Sequence, residues 1–337
     1  MAEKLDWSGV VVVNKPSGPT SFDVVRRVKT IFKVKRCGHT GTLDPTATGV
    51  LPICIGNATK VAGFISDGEK EYEALIRFGE STDTQDAAGK TLTRAPCEGV
   101  TEARLLEELR GFVGLIEQTP PMYSARKIDG QRLYALARQG VEVERAPRSV
   151  FVESAELKSF TGPLPHPDGG SPVFDASIYV RCSKGTYLRT MAHDLGERFG
   201  CGAHLRGLRR TRVGAFGIEE AVGLDQLMTW NKAGQRDELA RVLMPLSRAL
   251  EDLAELRLDP ALAKRVSHGH TLGPADLSRL RAPPYPRGRK VRLTTGDGDV
   301  LAVAESDGVG TLKLLRVLSE GGIESSGERD SSSESHD

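Results

Sequence analysis

Apolar residues recur along the chain at two spacings, and the spacings divide it into strands and helices. The opening "GVVVVNKPSG" sets four valines before a Pro and Gly pair, which predicts a buried strand ending in a turn. From Ser21 the rhythm changes, because Val25, Val28 and Phe32 recur at helical spacing. "GVLPICIG" and "EYEALIRFG" then predict two further strands. Thr101 is placed to cap a helix carrying Leu105, Leu106, Leu109 and Phe112 on one face, and a second helix is expected near "QRLYALARQ". The stretch 161–172, "TGPLPHPDGGSP", holds seven Gly or Pro residues and is expected to be an exposed excursion. "ASIYVRCSKG" predicts a strand, "TYLRTMAHDLGERFG" a helix closed by Gly200, and "AHLRGLRRTRVGAFG" another strand. Strands and helices alternate irregularly and without internal repeats. The fold class is therefore α+β, a mixed and largely antiparallel sheet flanked by helices, rather than repeated βαβ units.

The pattern shifts after Pro245. A short helix in "LRLDPALAKRVSHGHTLG" precedes tight strands joined at "GDGD" (296–299), a hairpin signal. The expected layout is a first domain at 1–248, a small β-rich domain at 249–318 and a Ser-rich tail at 319–337. That tail has almost no apolar residues and is expected to be disordered. It also changes the charge picture. Removing a tail of −5 from a chain of +1 leaves the first 318 residues at +6. A polyanionic partner is then plausible on charge.

Composition adds exclusions. The 337 residues are 39% hydrophobic and 27% charged, as expected of a soluble chain with a substantial core. The longest apolar runs, such as Val10–Val13, are far too short to span a bilayer, and the acidic opening "MAEKLDWSG" does not resemble a signal peptide. Five cysteines, odd in number and without a CxxC pair, point to reduced thiols in a cytosolic protein.

Candidate chemistry is sparse by motif. No phosphate-binding P-loop or dinucleotide fingerprint is present, and His268-Gly-His270 lacks other ligands at metal spacing, so a surface turn is the simpler reading. Basic residues gather at 26–36, in "HLRGLRRTR" (Arg206, Arg209, Arg210, Arg212) and at 279–292, a distribution suited to a phosphate backbone. "GHTGTLDPTATGVLP" (38–52) contains one carboxylate, Asp44, which by residue type alone could simply open an Asp-Pro turn.

That loop, extended to "ICIGNATK", resembles the signature of the TruB family of tRNA pseudouridine synthases. So do "NKPSGPTSFDVV" (14–25), "EYEALIRFGESTDTQDAAG" (71–89), "PPMYSARKIDGQRLYALAR" (120–138), and "CSKGTYLRTMAHDLG" with "GAHLRGLRRTRVGAF" (182–216), in the same order. The resemblance implies isomerisation of uridine-55 in the T loop of tRNA, by a stand-alone enzyme that needs no cofactor and no metal. It further implies that Asp44 is the catalytic carboxylate, that Arg189 pairs with it, and that Tyr72 stacks on the uracil and assists the C5 proton. Tyr187 and Leu208 would line the nucleotide pocket, His39 would fill the space left by the flipped base, and Lys15 would steady the loop or reach a phosphate. The last domain is similar to a PUA-like RNA-binding domain, implying contact with the acceptor arm. The expected protein is a cytoplasmic monomer without an obligatory protein partner. A guide-RNA-dependent subunit of the same superfamily, or an inactive tRNA-binding or folding protein, are the alternatives. Asp44 could attack C1′, add to C6 or remove the C2′ proton.

Overall fold

A computed structural model describes residues 7–318 apart from 125–126, 129–130 and 142. The expected tail lies outside the described residues, as does part of the segment around the helix expected near "QRLYALARQ". The chain divides between Asp252 and Leu253 into two compact units, four residues beyond the expected boundary.

The first unit is built on one large mixed sheet. Its principal elements in chain order are β1 (Gly9–Lys15), α1 (Ser21–Phe32), β2 (Thr48–Ile55), β3 (Lys70–Phe78), α2 (Glu102–Arg110), β4 (Gly114–Gln118), β5 (Arg148–Leu164), β6 (Val173–Cys182), α3 (Leu188–Phe199) and β7 (Ala203–Val213). Across the sheet these strands lie in the order β1-β2-β7-β3-β6-β5-β4. All neighbours are antiparallel except β2 and β7, which run parallel. That parallel contact brings residues 48–49 beside 209–210, and the site is assembled there.

Local chemistry explains the elements that carry the site. Thr20 caps α1 reciprocally with Asp23, and the helix buries Val24, Val25, Val28, Ile31 and Phe32. In β3 the positions 70, 72, 74, 76 and 78 are buried while those between are more open, the two-residue period of a half-covered strand. Tyr72 thus starts on the core-facing side, beside the cluster that includes Ala74, Ile76, Leu188 and Met191. Gly200 closes α3 in the left-handed conformation, as expected.

Two expectations need refinement. The stretch 161–172 is exposed as expected except at Leu164 and His166, but residues 161–164 continue β5 as part of a hairpin, and His166 at its tip is buried, its Nε2 2.6 Å from Glu80 Oε2. A hydrogen-bonded imidazole can be covered, which is why His166 departs from its exposed neighbours. Leu106 does not share the buried face of α2. Leu105 and Leu109 are covered while Leu106 is exposed, since one residue advances the helix by about 100°.

The second unit contains a four-stranded sheet, β8 (Ala254–Arg257), β9 (Lys290–Thr294), β10 (Val300–Ser306) and β11 (Leu312–Val317), with a helix Pro260–Ser267 capped by Asp259. Its basic residues are partly neutralised: Arg279 pairs with Asp259 and Arg292 with Glu255. Arg281, Arg287 and Arg289 are exposed. His268 and His270 lie at an exposed helix end, with His268 Nδ1 against the Lys264 carbonyl.

Candidate active site

The loop joining His39 to β2 is pinned on three sides. Ser21 Oγ donates to Leu43 O at 2.9 Å and accepts from Leu43 N at 2.8 Å, tying the start of α1 to the residue before Asp44. From β1, the buried Lys15 Nζ donates to Pro16 O, Pro45 O and Ala47 O at 2.9, 3.1 and 2.7 Å. Three acceptors match the three protons of an ammonium. From β7, the buried Arg210 donates to Val50 O at 2.8 Å, Gly41 O at 3.1 Å and Thr42 O at 3.4 Å. Ala47 N closes a turn onto Asp44 O at 3.1 Å, so Asp44 both opens the turn and presents its carboxylate. Arg210 was grouped by sequence with a phosphate-facing cluster. It is instead a buried strut, because its register opposite Gly49 aims it inward.

Gly49 is required for that closeness. Its φ is +101°, and a Cβ there would lie 2.1 Å from Arg210 O. We expect Gly49→Ala to lower stability by about 2–4 kcal/mol, read from denaturant unfolding. A loss under about 1 kcal/mol would show that β2 and β7 separate easily.

Asp44 and Arg189 meet at this loop. Arg189 Nε lies 3.0 Å from Asp44 Oδ2. The rest of its guanidinium is not on the carboxylate: Nη1 donates to Thr84 O at 3.2 Å and Nη2 to Tyr123 O at 2.8 Å. The guanidinium is thus a split fork, with one arm on the carboxylate and two on backbone. Asp86, which sequence reasoning missed, places Oδ2 4.0 Å from Arg189 Nη1 and is itself fixed by Thr84 Oγ1 and Ala88 N. Burial pushes the Asp44 carboxyl above its ordinary range, Arg189 pulls it back, Asp86 pushes it up and Lys15 lowers it. About a third of the side chain, 35%, remains open to the cleft, which moderates the burial effect.

Two hollows adjoin at Asp44 and Arg189. The smaller, about 270 Å³, is lined by Asp44, Tyr72, Tyr187, Arg189, Leu208 and Arg210 among others. The larger, about 770 Å³, includes Phe22, His39, Asp44, Asp86, Tyr123 and Arg189. The structure therefore gathers five of the sequence-predicted residues around the small hollow and places His39 in the adjoining one. Lys15 sits beneath the loop and steadies it. Tyr72 is buried, and burial raises its phenol, which is therefore neutral at physiological pH. That suits a ring that packs against a base more than one that removes a proton. Tyr187 is aligned through its backbone, with N donating to Gln118 Oε1 at 2.9 Å and O accepting from Gln118 Nε2 at 3.3 Å. His39 is lowered by burial and by Arg210, and its Nδ1 accepts from Gly41 N at 3.2 Å, so it is a neutral imidazole. Ser124 Oγ, buried and lining both hollows, has no protein partner among the described residues. Tyr123 and Ser124 lie within "PPMYSARK", where the motif gave notice of the segment but not of these contacts.

Burial lowers Lys15 to about 8. A group pulled below its ordinary value sheds its proton as pH rises through the lowered value, leaving one loop carbonyl without a donor. Asp44 works in the opposite direction, since its raised carboxyl must be ionised to react. Activity is therefore expected to rise from acid through a midpoint above 3.8 and to fall again from about pH 8. Lys15→Met should lose the alkaline limb along with part of the rate. An unchanged alkaline limb in that variant would remove Lys15 from the explanation.

Residues 29–188 match the TruB family pseudouridylate synthase N-terminal domain, and residues 189–251 the tRNA pseudouridylate synthase B C-terminal domain. Similar proteins include tRNA pseudouridine synthase B of Saccharophagus degradans, 41% identical over 313 residues covering 93% of this chain and 96% of that one. The protein of the same name from Burkholderia pseudomallei is 44% identical over 305 residues, covering 89% and 94%. Among solved structures, a chain of a Cbf5-Nop10-Gar1 complex superposes with a TM-score of 0.68 at 25% identity, covering 92% of this chain and 85% of that chain. Identity above 40% across nearly the whole length, with family models matching residues 29–251, through the Asp44 loop and strand β7, places this chain in the TruB family of pseudouridine synthases.

Proposed function

We propose that this protein converts uridine-55 in the T loop of tRNA to pseudouridine, acting alone and without a cofactor. The observation that carries the reading is the Asp44–Arg189 pair, a carboxylate held at 3.0 Å yet open to a cleft with a neutral aromatic ring, Tyr72, in its wall. The N1–C1′ bond of the target breaks, the uracil turns while held, and C5 bonds to C1′. The C5 proton leaves and N1 gains one, so no atoms are gained or lost. The small hollow takes the flipped base, with Tyr72 and Leu208 against its faces and Tyr187 at its side. His39, neutral and in the adjoining hollow, replaces the stacking that the base gave up, which offsets a few kcal/mol. Asp44 supplies the one group that must be charged, and Arg189 aims it.

Release of tritium from C5-labelled uridine in an unmodified T-arm transcript, with no guide RNA or cofactor added, tests the reading. The likeness to Cbf5 motivates a second reading, a guide-dependent enzyme, for which turnover would require an added guide. Binding without turnover under either condition would leave only a tRNA-binding or folding role.

The second unit is proposed to be PUA-like and to grip the acceptor arm. Replacing the exposed Arg281, Arg287 and Arg289 by Gln should weaken full tRNA but not an isolated T-arm hairpin. It should also flatten the salt dependence of tRNA binding by up to about three phosphate contacts. Equal losses for both RNAs would remove that role. The enzyme is proposed to work in the cytoplasm as a monomer. Among the described residues no helix is long and apolar enough to cross a membrane.

A further inference from the structure

Helix α1 has an apolar face that is buried and a polar face that carries one residue out of pattern. Phe22 is 64% exposed, and Val24, Val25 and Val28 complete the core without it. Folding gives no reason for a phenyl ring there. Its surroundings give another. The ring lines the larger hollow together with His39, Asp44 and Arg189, so it stands at the mouth of the catalytic cleft. Its position is fixed relative to the carboxylate, because the preceding residue, Ser21, is bonded both ways to Leu43.

The ring is also paired with charge. The Arg26 guanidinium lies 5.7 Å from its centroid and is oriented by Asp23. Arg27, Lys29 and Lys33 continue outward on exposed positions of the same segment. An exposed aromatic face beside a guanidinium, followed by cations, is the combination that holds single-stranded RNA: the base stacks, and the backbone follows the charges. The larger hollow, at about 770 Å³, is nearly three times the volume of the one beneath Asp44. It has room beyond what the target base takes.

We infer that Phe22, flanked by Arg26 and Arg27, is a stacking platform for the unpaired nucleobase next to the target uridine. The platform would make the enzyme dependent on an unpaired neighbour and so favour loops over paired stems. Phe22 acts here as a positioning residue, and the inference rests on the reaction proposed above.

The test uses the full-length protein and three T-arm stem-loops: one intact, one abasic immediately 5′ of the target and one abasic immediately 3′. Affinities are measured at one fixed salt concentration for the wild type, Phe22→Ala and Phe22→Tyr. Phe22→Ala is expected to weaken the intact RNA on the order of ten-fold, with Phe22→Tyr restoring most of that. One of the abasic RNAs should cost the wild type a similar factor, and on that RNA Phe22→Ala should cost nothing further. An equal penalty for Phe22→Ala on all three RNAs, or no penalty on any, would overturn the platform. Tritium release by the wild type on the intact stem-loop runs in parallel. Turnover with additive penalties overturns the platform and leaves the reaction standing. Absence of turnover with the coupling intact overturns the reaction and leaves Phe22 as a base-stacking residue.

Discussion

Asp44→Asn is expected to lower turnover by about 10⁴- to 10⁶-fold while leaving affinity for the T-arm stem-loop within a few-fold. The amide keeps the shape of the carboxylate, and the loop around it is held by contacts that do not involve the side chain: Lys15 on Pro45 O and Ala47 O, Ser21 on Leu43, and Arg210 on Gly41 O. What is lost is the ionised oxygen that must react. Among the described residues lining the two hollows, Asp86 is the other carboxylate, but its Oδ1 is taken by Thr84 Oγ1 and Ala88 N, and it is more deeply buried than Asp44. Single-turnover rates measured on protein checked by mass for deamidation give the result. A residual rate near one tenth of wild type would mean that Asp44 is not the reacting group.

Arg189→Lys should cost about 10²- to 10³-fold in turnover, although the charge is kept. The guanidinium does three things at once, meeting Asp44 Oδ2, Thr84 O and Tyr123 O from three different nitrogens. An ammonium is a single point and cannot reach all three. Whichever contact it keeps, at least one buried carbonyl is left without a donor, at a cost of about 1–3 kcal/mol. The carboxylate is then aimed less well and, with burial less opposed, its protonation midpoint rises. The acid limb of the pH profile should therefore move upward in this variant, a change that simple loss of fold stability would not produce. Rates within a few-fold of wild type, with an unmoved acid limb, would end the assignment of Arg189 as the group that charges and aims Asp44.

Much of this molecule follows from local pattern. The period of two over residues 70–78 and the helical spacing after Ser21 depend only on neighbours along the chain, and both elements form where that reasoning puts them. The caps at Thr101 and Gly200 are equally local. Five ordered motifs carry the family, because they preserve residue type and spacing together. The protein's class, and Asp44 as the one carboxylate of the 38–52 loop, could thus be named from one dimension.

The roles of the cations could not. Arg210 sits in a run of four arginines that are alike in composition, and only the parallel pairing of β7 with β2 turns that one onto carbonyls 169 and 160 residues away. Lys15 is likewise buried because strand β1 brings it under carbonyls 30 and 32 residues distant. A buried cation is stable only where acceptors surround it. Acceptors from distant backbone exist only after the sheet has closed. The same dependence explains why Arg189 splits its fork instead of clamping Asp44, and why Asp86 and Ser124 gave no earlier signal. Sequence determined which elements form and which chemistry is at hand; the order of strands in the sheet decided which charges are struts, which are open to the cleft, and where the carboxylate points.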